Sequence, residues 1–177
     1  MTLGNPLRGE RIIVRSCMQS DLPFSTEMWF DPDNGHYLSD PTVEFVDEVY
    51  QKALDGLQDS AYGYYFIVEL RCSGERIGTC CVFPDKDRRV YDIGYCIHRS
   101  HWRQGFGTEL VELIANWIRE QGGSAVTAET ARENRGSRAL LEKCGFTVKK
   151  ESSFKKYNMD ISFDSLIYEK KLYSQRS

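Results

Sequence analysis

The residue types best suited to binding chemistry lie close together in residues 95–108. This stretch reads Y-C-I-H-R-S-H-W-R-Q-G-F-G-T, in which an apolar run ends, two glycines follow one residue apart, and an amphipathic pattern begins. Glycine lets a backbone approach a ligand closely, and the first turn of a helix presents unpaired N–H groups with a partial positive charge. The stretch is typical of a pyrophosphate site, and Arg103 adds a fixed positive charge. A tight turn before a packed helix would show the same glycine spacing.

The glycine pair does not complete either common nucleotide-phosphate motif. The sequence contains no G-x-x-x-x-G-K-[ST], and Leu110 occupies the third glycine position of G-x-G-x-x-G. A P-loop and a dinucleotide-binding turn are therefore excluded.

Cysteine and histidine give weaker chemical signals. The six cysteines include no C-x-x-C pair and no histidine at zinc spacing, so they are either covalent thiol nucleophiles or reduced, buried small hydrophobes. The second interpretation is favoured because thiols stay reduced in the cytosol. His98 and His101 flank the glycine pair and His36 lies in a turn-rich segment, where a polar contact is a simpler role than a catalytic base. The cysteines are Cys17, Cys72, Cys80, Cys81, Cys96 and Cys144.

The middle of the chain predicts the elements that position this stretch. Three apolar and β-branched runs are separated by the short turns C-S-G-E and P-D-K-D-R, which require antiparallel neighbours and so predict a meander. A helix with an apolar stripe follows and ends at Gly122. A strand, a helix capped by Asn134 and ended at Gly145, and two final strands complete the chain. The predicted strands of this part are 63–71, 76–83, 90–97, 124–129, 146–151 and 163–172.

The first part of the chain predicts one strand and two helices. Residues 11–15 form a short apolar run, and 20–40 a helix followed by a turn-rich loop. Pro41 suits the first position of a second helix, with Asp40 as its N-cap. The inward face of that helix would carry Val46, Val49, Tyr50, Ala53, Leu54 and Leu57.

The whole chain, 1–177, is expected to form a single α+β domain. Its elements predict a mixed, mostly antiparallel central sheet of about seven strands flanked by about four helices. Hydrophobic residues make up 41% and the net charge is -3, which is ordinary for a folded protein and argues against a nucleic-acid partner. No apolar run approaches the roughly 20 residues that cross a bilayer, and the first residues lack a secretory signal. A cytoplasmic protein without a membrane partner is expected.

Two segments resemble the GNAT N-acetyltransferases. Residues 102–109, W-R-Q-G-F-G-T-E, are similar to the pyrophosphate loop of that superfamily, and most similar to the branch of ribosomal-protein N-terminal acetyltransferases. In most of the superfamily the first position is Gln or Arg, so Trp102 departs from the wider pattern. Residues 133–146 resemble the N-x-x-S…E-K-x-G-F signature of the same branch, and I-G-Y at 93–95 fits as well. The motifs occur in order over 90–146, and the predicted elements extend the resemblance across nearly the whole chain.

The resemblance implies an enzyme that moves an acetyl group from acetyl-CoA to a primary amine by direct attack in a ternary complex, without a metal. The backbone of Tyr95, Cys96 and Ile97 would pair with the pantetheine arm, and the acyl group would lie where two neighbouring strands splay apart. Asn134 and Ser137 would lie beside the distal pantetheine and the thioester. The pyrophosphate would be held by the backbone of Arg103, Gln104, Gly105, Phe106, Gly107 and Thr108.

Amine acylation also needs a base, because a free alkylamine has a pKa of about 10. Glu129 is the first candidate, since some members of the family resemble this chain in carrying a glutamate there, and Asp92 is the second. Backbone N–H groups near Cys96 and Ile97 are candidates for stabilising the developing oxyanion. The family's frequent tyrosine acid is replaced by Leu141.

Tyr95 and Tyr168 are the alternatives to the missing tyrosine acid.

The acceptor is either a small-molecule amine or a protein N-terminus, and residues 30–41 are expected to shape its site. Asp31, Asp33 and Asp40 in that segment either attract a cationic amine or act as turn formers and a helix cap. A catalytically weak CoA-binding sensor is the alternative function. A homodimer could form through the C-terminal strands.

Overall fold

In the part of the chain that the structure describes, one mixed sheet of eight strands organises the protein. The computed structural model describes residues 1–42 and 46–172, apart from the side chain of Gln58. The strands are β1 Leu7–Arg8, β2 Ile12–Ser16, β3 Tyr64–Leu70, β4 Arg76–Pro84, β5 Val90–Ile97, β6 Ala125–Ala131, β7 Thr147–Lys155 and β8 Ser162–Lys171. The helices are α1 Leu22–Phe30, α2 Glu48–Asp55, α3 Phe106–Glu120 and α4 Arg135–Lys143, with short 3-10 turns at Gln19–Asp21, Leu57–Asp59 and Arg99–His101.

The strand order across the sheet is β1-β2-β3-β4-β5-β6-β8-β7. Each neighbouring pair is antiparallel except β5 and β6, which run parallel. The predicted α+β class, the β3–β5 meander and the mixed sheet are therefore confirmed. The predicted strand count omitted β1, because two residues are too few to show an alternating pattern.

Helices pack on both faces of this sheet. Leu110, Ile114 and Ile118 of α3 are fully buried, as their predicted stripe requires, in one apolar cluster with alternate residues of β2 to β5. α1 lies on the opposite face, where the Trp29 indole N–H donates to the Thr79 hydroxyl of β4 at 3.0 Å. None of the helices in the described ranges is both long and apolar enough to cross a membrane.

The second helix begins later than the sequence predicted. α2 starts at Glu48, and Asp47 caps it by accepting the Tyr50 backbone N–H at 2.8 Å. The predicted cap, Asp40, instead accepts a hydrogen bond from the Tyr50 hydroxyl, and the chain at Pro41 is not helical. The prediction was wrong because Asp40 and Asp47 each precede a run of residues that could form a helix. The Asp40 side chain bonds to Tyr50 instead of capping a helix.

The inward face of α2 is also narrower than predicted. Leu54 is buried, but Val49 and Ala53 are exposed. Val46 precedes the helix, and residues 43–45 of the predicted helix lie outside the described residues. The inward face of α2 is therefore limited to the buried Leu54 and the half-buried Tyr50.

Candidate active site

The parallel strands β5 and β6 pair along only part of their length. Their pairing covers three residues of each strand and ends at Asp92 and Thr127, although β5 continues to Ile97 and β6 to Ala131. β4 remains paired with β5 as far as Ile97. One backbone edge of residues 93–97 therefore faces a gap between strands, where an extended ligand could pair with it.

The first turn of α3 lies beside this gap and carries no side-chain cap within the described chain. Its N-cap residue is Gly105, whereas the side chains of Asp47 and Asn134 cap α2 and α4. The backbone N–H groups of residues 106–108 have no acceptor inside the helix, because the first turn never provides one. Together with the helix dipole, these groups form a site suited to an anion.

The two glycines of the loop, Gly105 and Gly107, are required for different structural reasons. Gly105 has a φ of 84°, and Arg103 beside it has a φ of 60°, so the turn uses left-handed backbone that favours glycine. Gly107 is inside α3, where an added Cβ would lie 2.5 Å from Leu140 Cδ1 of α4. Gly105 therefore shapes the turn, and Gly107 allows α3 and α4 to pack closely. These are the roles expected from a tight turn before a packed helix, the alternative that the sequence left open.

Arg11, at the start of β2, anchors this loop. Its guanidinium donates to the Gln104 carbonyl and to the Glu109 carboxylate, both at 2.9 Å, and lies 4.5 Å from the Phe106 ring centroid. The Glu109 carboxylate also accepts the Arg11 backbone N–H at 2.7 Å. The sequence analysis missed this role because nothing local to Arg11 indicates a partner nearly a hundred residues away.

The predicted cofactor residues outside the loop meet at the start of α4. Asn134 Oδ1 accepts the Ser137 backbone N–H at 3.1 Å, so Asn134 caps α4 as predicted. The Tyr95 hydroxyl of β5 lies 2.9 Å from Ser137 Oγ. Burial raises the pKa of Tyr95, which keeps the phenol protonated.

Trp102 holds the end of β5 against the loop. Its indole N–H donates to the Ile97 carbonyl at 2.6 Å, while 49% of the residue remains exposed. Of the three residues predicted to pair with pantetheine, Ile97 thus has a carbonyl that already accepts one hydrogen bond.

The two predicted bases lie on one face of the sheet, at the point where β5 and β6 separate. The Thr127 hydroxyl, opposite Asp92 in the register, donates to Asp92 Oδ1 at 2.7 Å. Ser165 of β8 donates its hydroxyl to the Glu129 carboxylate. Desolvation by surrounding protein atoms and the negative charge of Glu129 raise the pKa of Asp92, and the Thr127 hydrogen bond offsets part of that rise.

The three positions considered for a general acid differ in their surroundings. Leu141 is fully buried in the apolar core. Tyr168 is also fully buried, and its hydroxyl donates to Glu142 at 2.9 Å. Tyr95 is half-buried beside the gap and shares a hydrogen bond with Ser137.

This arrangement matches a known protein family. The sequence matches the acetyltransferase (GNAT) domain over residues 11–147. The chain belongs to the GNAT acetyltransferase family. It is an acyltransferase, and an uncharacterised N-acetyltransferase of Bacillus subtilis, YoaA, is 26% identical to it over 85% of this chain and 86% of that protein.

Solved GNAT structures share the fold. Spermidine N-acetyltransferase from Vibrio cholerae, in complex with CoA and spermine, is 18% identical, with a TM-score of 0.76 over 91% of this chain and 95% of its own. An acetyltransferase from Salmonella typhimurium that modifies the N-terminal serine of ribosomal protein L7/L12 is 15% identical, with a TM-score of 0.78 over 96% and 100%. The GNAT resemblance seen in the sequence is thus confirmed, the family by the domain match and the fold by these structures.

In this GNAT domain the acidic residues of segment 31–42 have local partners. Asp31 Oδ1 accepts the backbone N–H groups of Asp33 at 3.1 Å and Asn34 at 2.7 Å, which makes Asp31 a turn former. Asp33 forms an ion pair with Arg99 at 2.7 Å. Asp40, which accepts from Tyr50, was predicted as a helix cap and does not act as one.

The histidines of the GNAT domain also make local contacts. His98 Nδ1 lies 2.7 Å from Ser100 Oγ, and His101 Nε2 lies 3.2 Å from the Glu75 carboxylate. His36 stacks edge-on against Tyr37.

Three cysteines, Cys17, Cys81 and Cys96, have the properties of thiols rather than thiolates. Burial raises the pKa of Cys96 and of Cys81 to about 12, and that of Cys17 to about 11. Since the thiolate is the nucleophile, these values oppose the covalent alternative. All six cysteines are free, and Cys72 is exposed.

Proposed function

We propose that this GNAT domain transfers an acetyl group from acetyl-CoA to a primary amine by direct attack in a ternary complex. The observation that carries the proposal is the gap between β5 and β6. The uncapped start of α3 lies on one side of it, and the carboxylates of Asp92 and Glu129 lie at its mouth. An anion site for the donor and a basic group for the acceptor thus meet at one opening.

The donor would be held mainly by backbone. The N–H groups of residues 103–108 suit the pyrophosphate, with Arg103 adding positive charge, and the free edge of residues 95–97 suits the amides of pantetheine. Asn134 and Ser137 would border the thioester end, because Ser137 lies against Tyr95 of that same edge. The thioester supplies the activated acetyl group.

The Asp92–Glu129 pair is the proposed base. An amine with a pKa of about 10 must lose a proton before it attacks, and a carboxylate with a raised pKa accepts that proton more readily, directly or through water. Desolvation and the charge of Glu129 raise the pKa of Asp92, while hydroxyl donors hold both carboxylates in place. The acceptor is a small-molecule amine or a peptide N-terminus.

The Tyr95 hydroxyl is the proposed proton source for the departing thiolate. It is protonated, lies beside the gap, and is oriented by Ser137. Tyr168, the other tyrosine considered, is buried, and its hydroxyl donates to Glu142.

Thermal unfolding with and without acetyl-CoA tests the donor site. A ligand that binds only the folded state must raise the melting temperature. Arg103→Glu should reduce the shift because it reverses a charge beside the anion site. Lys86→Glu makes the same charge change at an exposed position at the other end of β5 and should leave the shift intact.

Thiol release with a panel of amines then tests catalysis. Release of CoA in the presence of an amine supports the proposal. Binding of acetyl-CoA with negligible release for every amine would favour the sensor alternative, and no shift at millimolar acetyl-CoA would contradict both functions.

A further inference from the structure

A lysine lies buried in the hairpin between β7 and β8. Lys156 is 3% exposed, and its Nζ donates to three backbone carbonyls, those of Gly35 and Leu38 at 2.8 Å and of Asp40 at 3.0 Å. An ammonium group has three donors, so all of them are satisfied.

These contacts carry a cost that simple packing would not require. Burying a charged group is unfavourable, and desolvation lowers the pKa of Lys156, although the Asp40 charge nearby opposes that change. A methionine would fill similar space without this penalty. The contribution particular to the ammonium group is that it fixes three carbonyls within six consecutive residues.

The segment that receives these hydrogen bonds has no helix or strand of its own. Residues 31–42 consist of turns and bends, so their shape depends on contacts with other parts of the chain. The Tyr157 backbone N–H adds one more, donating to the Ser39 carbonyl at 2.8 Å.

The same segment spans the face of the sheet that carries the proposed bases. At one end, Asn34 is buried, and its amide contacts Cys96 Sγ of β5 at 3.0 Å and accepts the Arg99 backbone N–H at 2.7 Å. Further along, the Tyr37 ring lies 5.6 Å from that of Phe163 in β8. Residues 34–40 therefore form a wall from β5 to β8, across the gap between β5 and β6.

We propose that Lys156 is a positioning residue for the amine acceptor: its ammonium group holds residues 34–40 in the shape that forms the acceptor side of the cleft. The role in acceptor binding rests on the proposed acetyl transfer. The ordering of residues 34–40 by Lys156 can be measured without turnover. Asn34 attaches the wall to the donor strand, and Lys156 attaches it to the hairpin.

The test compares Lys156→Met with Lys155→Met. Lys155 is the adjacent residue of the same hairpin, but its side chain is exposed and its contact is an ion pair with Asp160 at 3.3 Å. Amide hydrogen exchange of residues 34–42 reports the hold on the segment. Acetyl-CoA affinity and the acceptor KM and kcat, measured with spermidine and with a serine-initiated peptide as probes, report the effect on the site.

Lys156→Met should increase exchange in 34–42 while β3 to β6 keep wild-type exchange. It should lower kcat/KM for the acceptor by roughly 10- to 100-fold, mainly through KM, with acetyl-CoA affinity unchanged within about twofold. Lys155→Met should change none of these quantities. Lys156→Gln, which keeps one donor group, should give intermediate exchange and serves if the methionine variant does not fold.

Two results would overturn the proposal: wild-type exchange of 34–42 in both Lys156 variants, or an increase spread evenly over the whole sheet, which would indicate a general loss of stability. A wild-type chain that binds no acetyl-CoA would contradict the proposed function. The exchange data would still decide whether Lys156 holds the segment.

Discussion

At the scale of single residues, the proposed base is a pair of neighbouring carboxylates. Asp92 and Glu129 are close enough that the charge of Glu129 raises the pKa of Asp92. Each carboxylate is also held by a hydroxyl, from Thr127 and Ser165, which limits its rotation. The two residues are distinguishable by experiment, because removing the charge of Glu129 should lower the pKa of Asp92.

Glu129→Gln should move the acidic limb of the kcat/KM profile to lower pH. The base works when unprotonated, so activity falls as the pH drops through the pKa of Asp92. Without the negative charge of Glu129, that pKa is lower, and activity persists to lower pH. The measurement is the pH dependence of kcat/KM for a reactive amine.

Asp92→Asn serves as the comparison and should lower kcat/KM by roughly 10²- to 10⁴-fold at neutral pH. If Glu129→Gln abolishes activity and Asp92→Asn preserves it, the proton acceptor is Glu129 alone, which was the first candidate from the sequence.

Tyr95→Phe should lower kcat while leaving acetyl-CoA binding nearly intact. The change removes only the hydroxyl that contacts Ser137, and so removes the proposed proton source for the thiolate. Single-turnover kinetics separate this step from product release.

The matched variant is Tyr168→Phe, which removes a buried tyrosine hydroxyl that donates to Glu142. It should cost about 1 kcal/mol of folding free energy with kcat unchanged. Equal kcat values for the two variants would remove Tyr95 from the mechanism.

At the scale of elements, buried polar contacts attach the helices to the sheet. Asp21, just before α1, is 1% exposed and receives two hydrogen bonds from Arg15 of β2, at 2.7 and 2.9 Å. Arg76 of β4 adds a third at 3.2 Å. The start of α1, and with it the segment leading to the acceptor wall, is thereby attached to β2 and β4.

Asp21→Ala should destabilise the fold by roughly 1.5–3 kcal/mol, because it removes the charged hydrogen bonds between Asp21 and Arg15, while Arg15 keeps its ion pair with Glu69 at 2.7 Å. Asp33→Ala is the matched control, since Asp33 also pairs with an arginine but its side chain is 77% exposed, and it should cost at most about 1 kcal/mol. Urea unfolding of both variants measures the difference.

The Asp21 contribution should also depend on pH. The arginine hydrogen bonds lower the pKa of Asp21 below its unfolded value, so its stabilisation is complete above the unfolded pKa and is lost as the pH falls through the folded one. The free-energy gap between wild type and Asp21→Ala should therefore narrow in acid. A gap that stays constant down to pH of about 2 would contradict this assignment.

Elements were predictable where a local pattern and its turns agree. The β3–β5 meander, the apolar stripe of α3 and the Asn134 cap depend on residues within one turn or hairpin of each other. β1 was missed because two residues are too few to show an alternating pattern of apolar and polar side chains. The start of α2 was placed too early because Asp40 and Asp47 are equally suitable N-caps in their local sequence. Only the tertiary contact of Asp40 with Tyr50 separates them.

At the scale of the whole molecule, the site is assembled by contacts between distant residues. The sequence predicted the loop from a contiguous family motif, Glu129 from the family resemblance, and Asp92 from its place on the strand beside the loop. It could not indicate that Arg11 supports the loop or that Lys156 holds the acceptor wall, since each partner lies about a hundred residues away. The proposed site also places a positive charge, Arg103, on its donor side and two carboxylates, Asp92 and Glu129, on its acceptor side, a separation that the net charge of -3 does not reveal.

This separation predicts how salt affects donor binding. Acetyl-CoA is a polyanion approaching a net-negative protein, so its attraction must come from the local field of Arg103 and the α3 amides. Salt shortens the screening length from about 10 Å at 0.1 M to about 3 Å at 1 M, so the melting-temperature shift from acetyl-CoA should shrink over that range. S-acetylpantetheine, which lacks the pyrophosphate, should give a smaller shift that salt does not reduce. Equal salt dependence for the two ligands would mean that the pyrophosphate makes no special contact, and the anion site would have to be placed away from the start of α3.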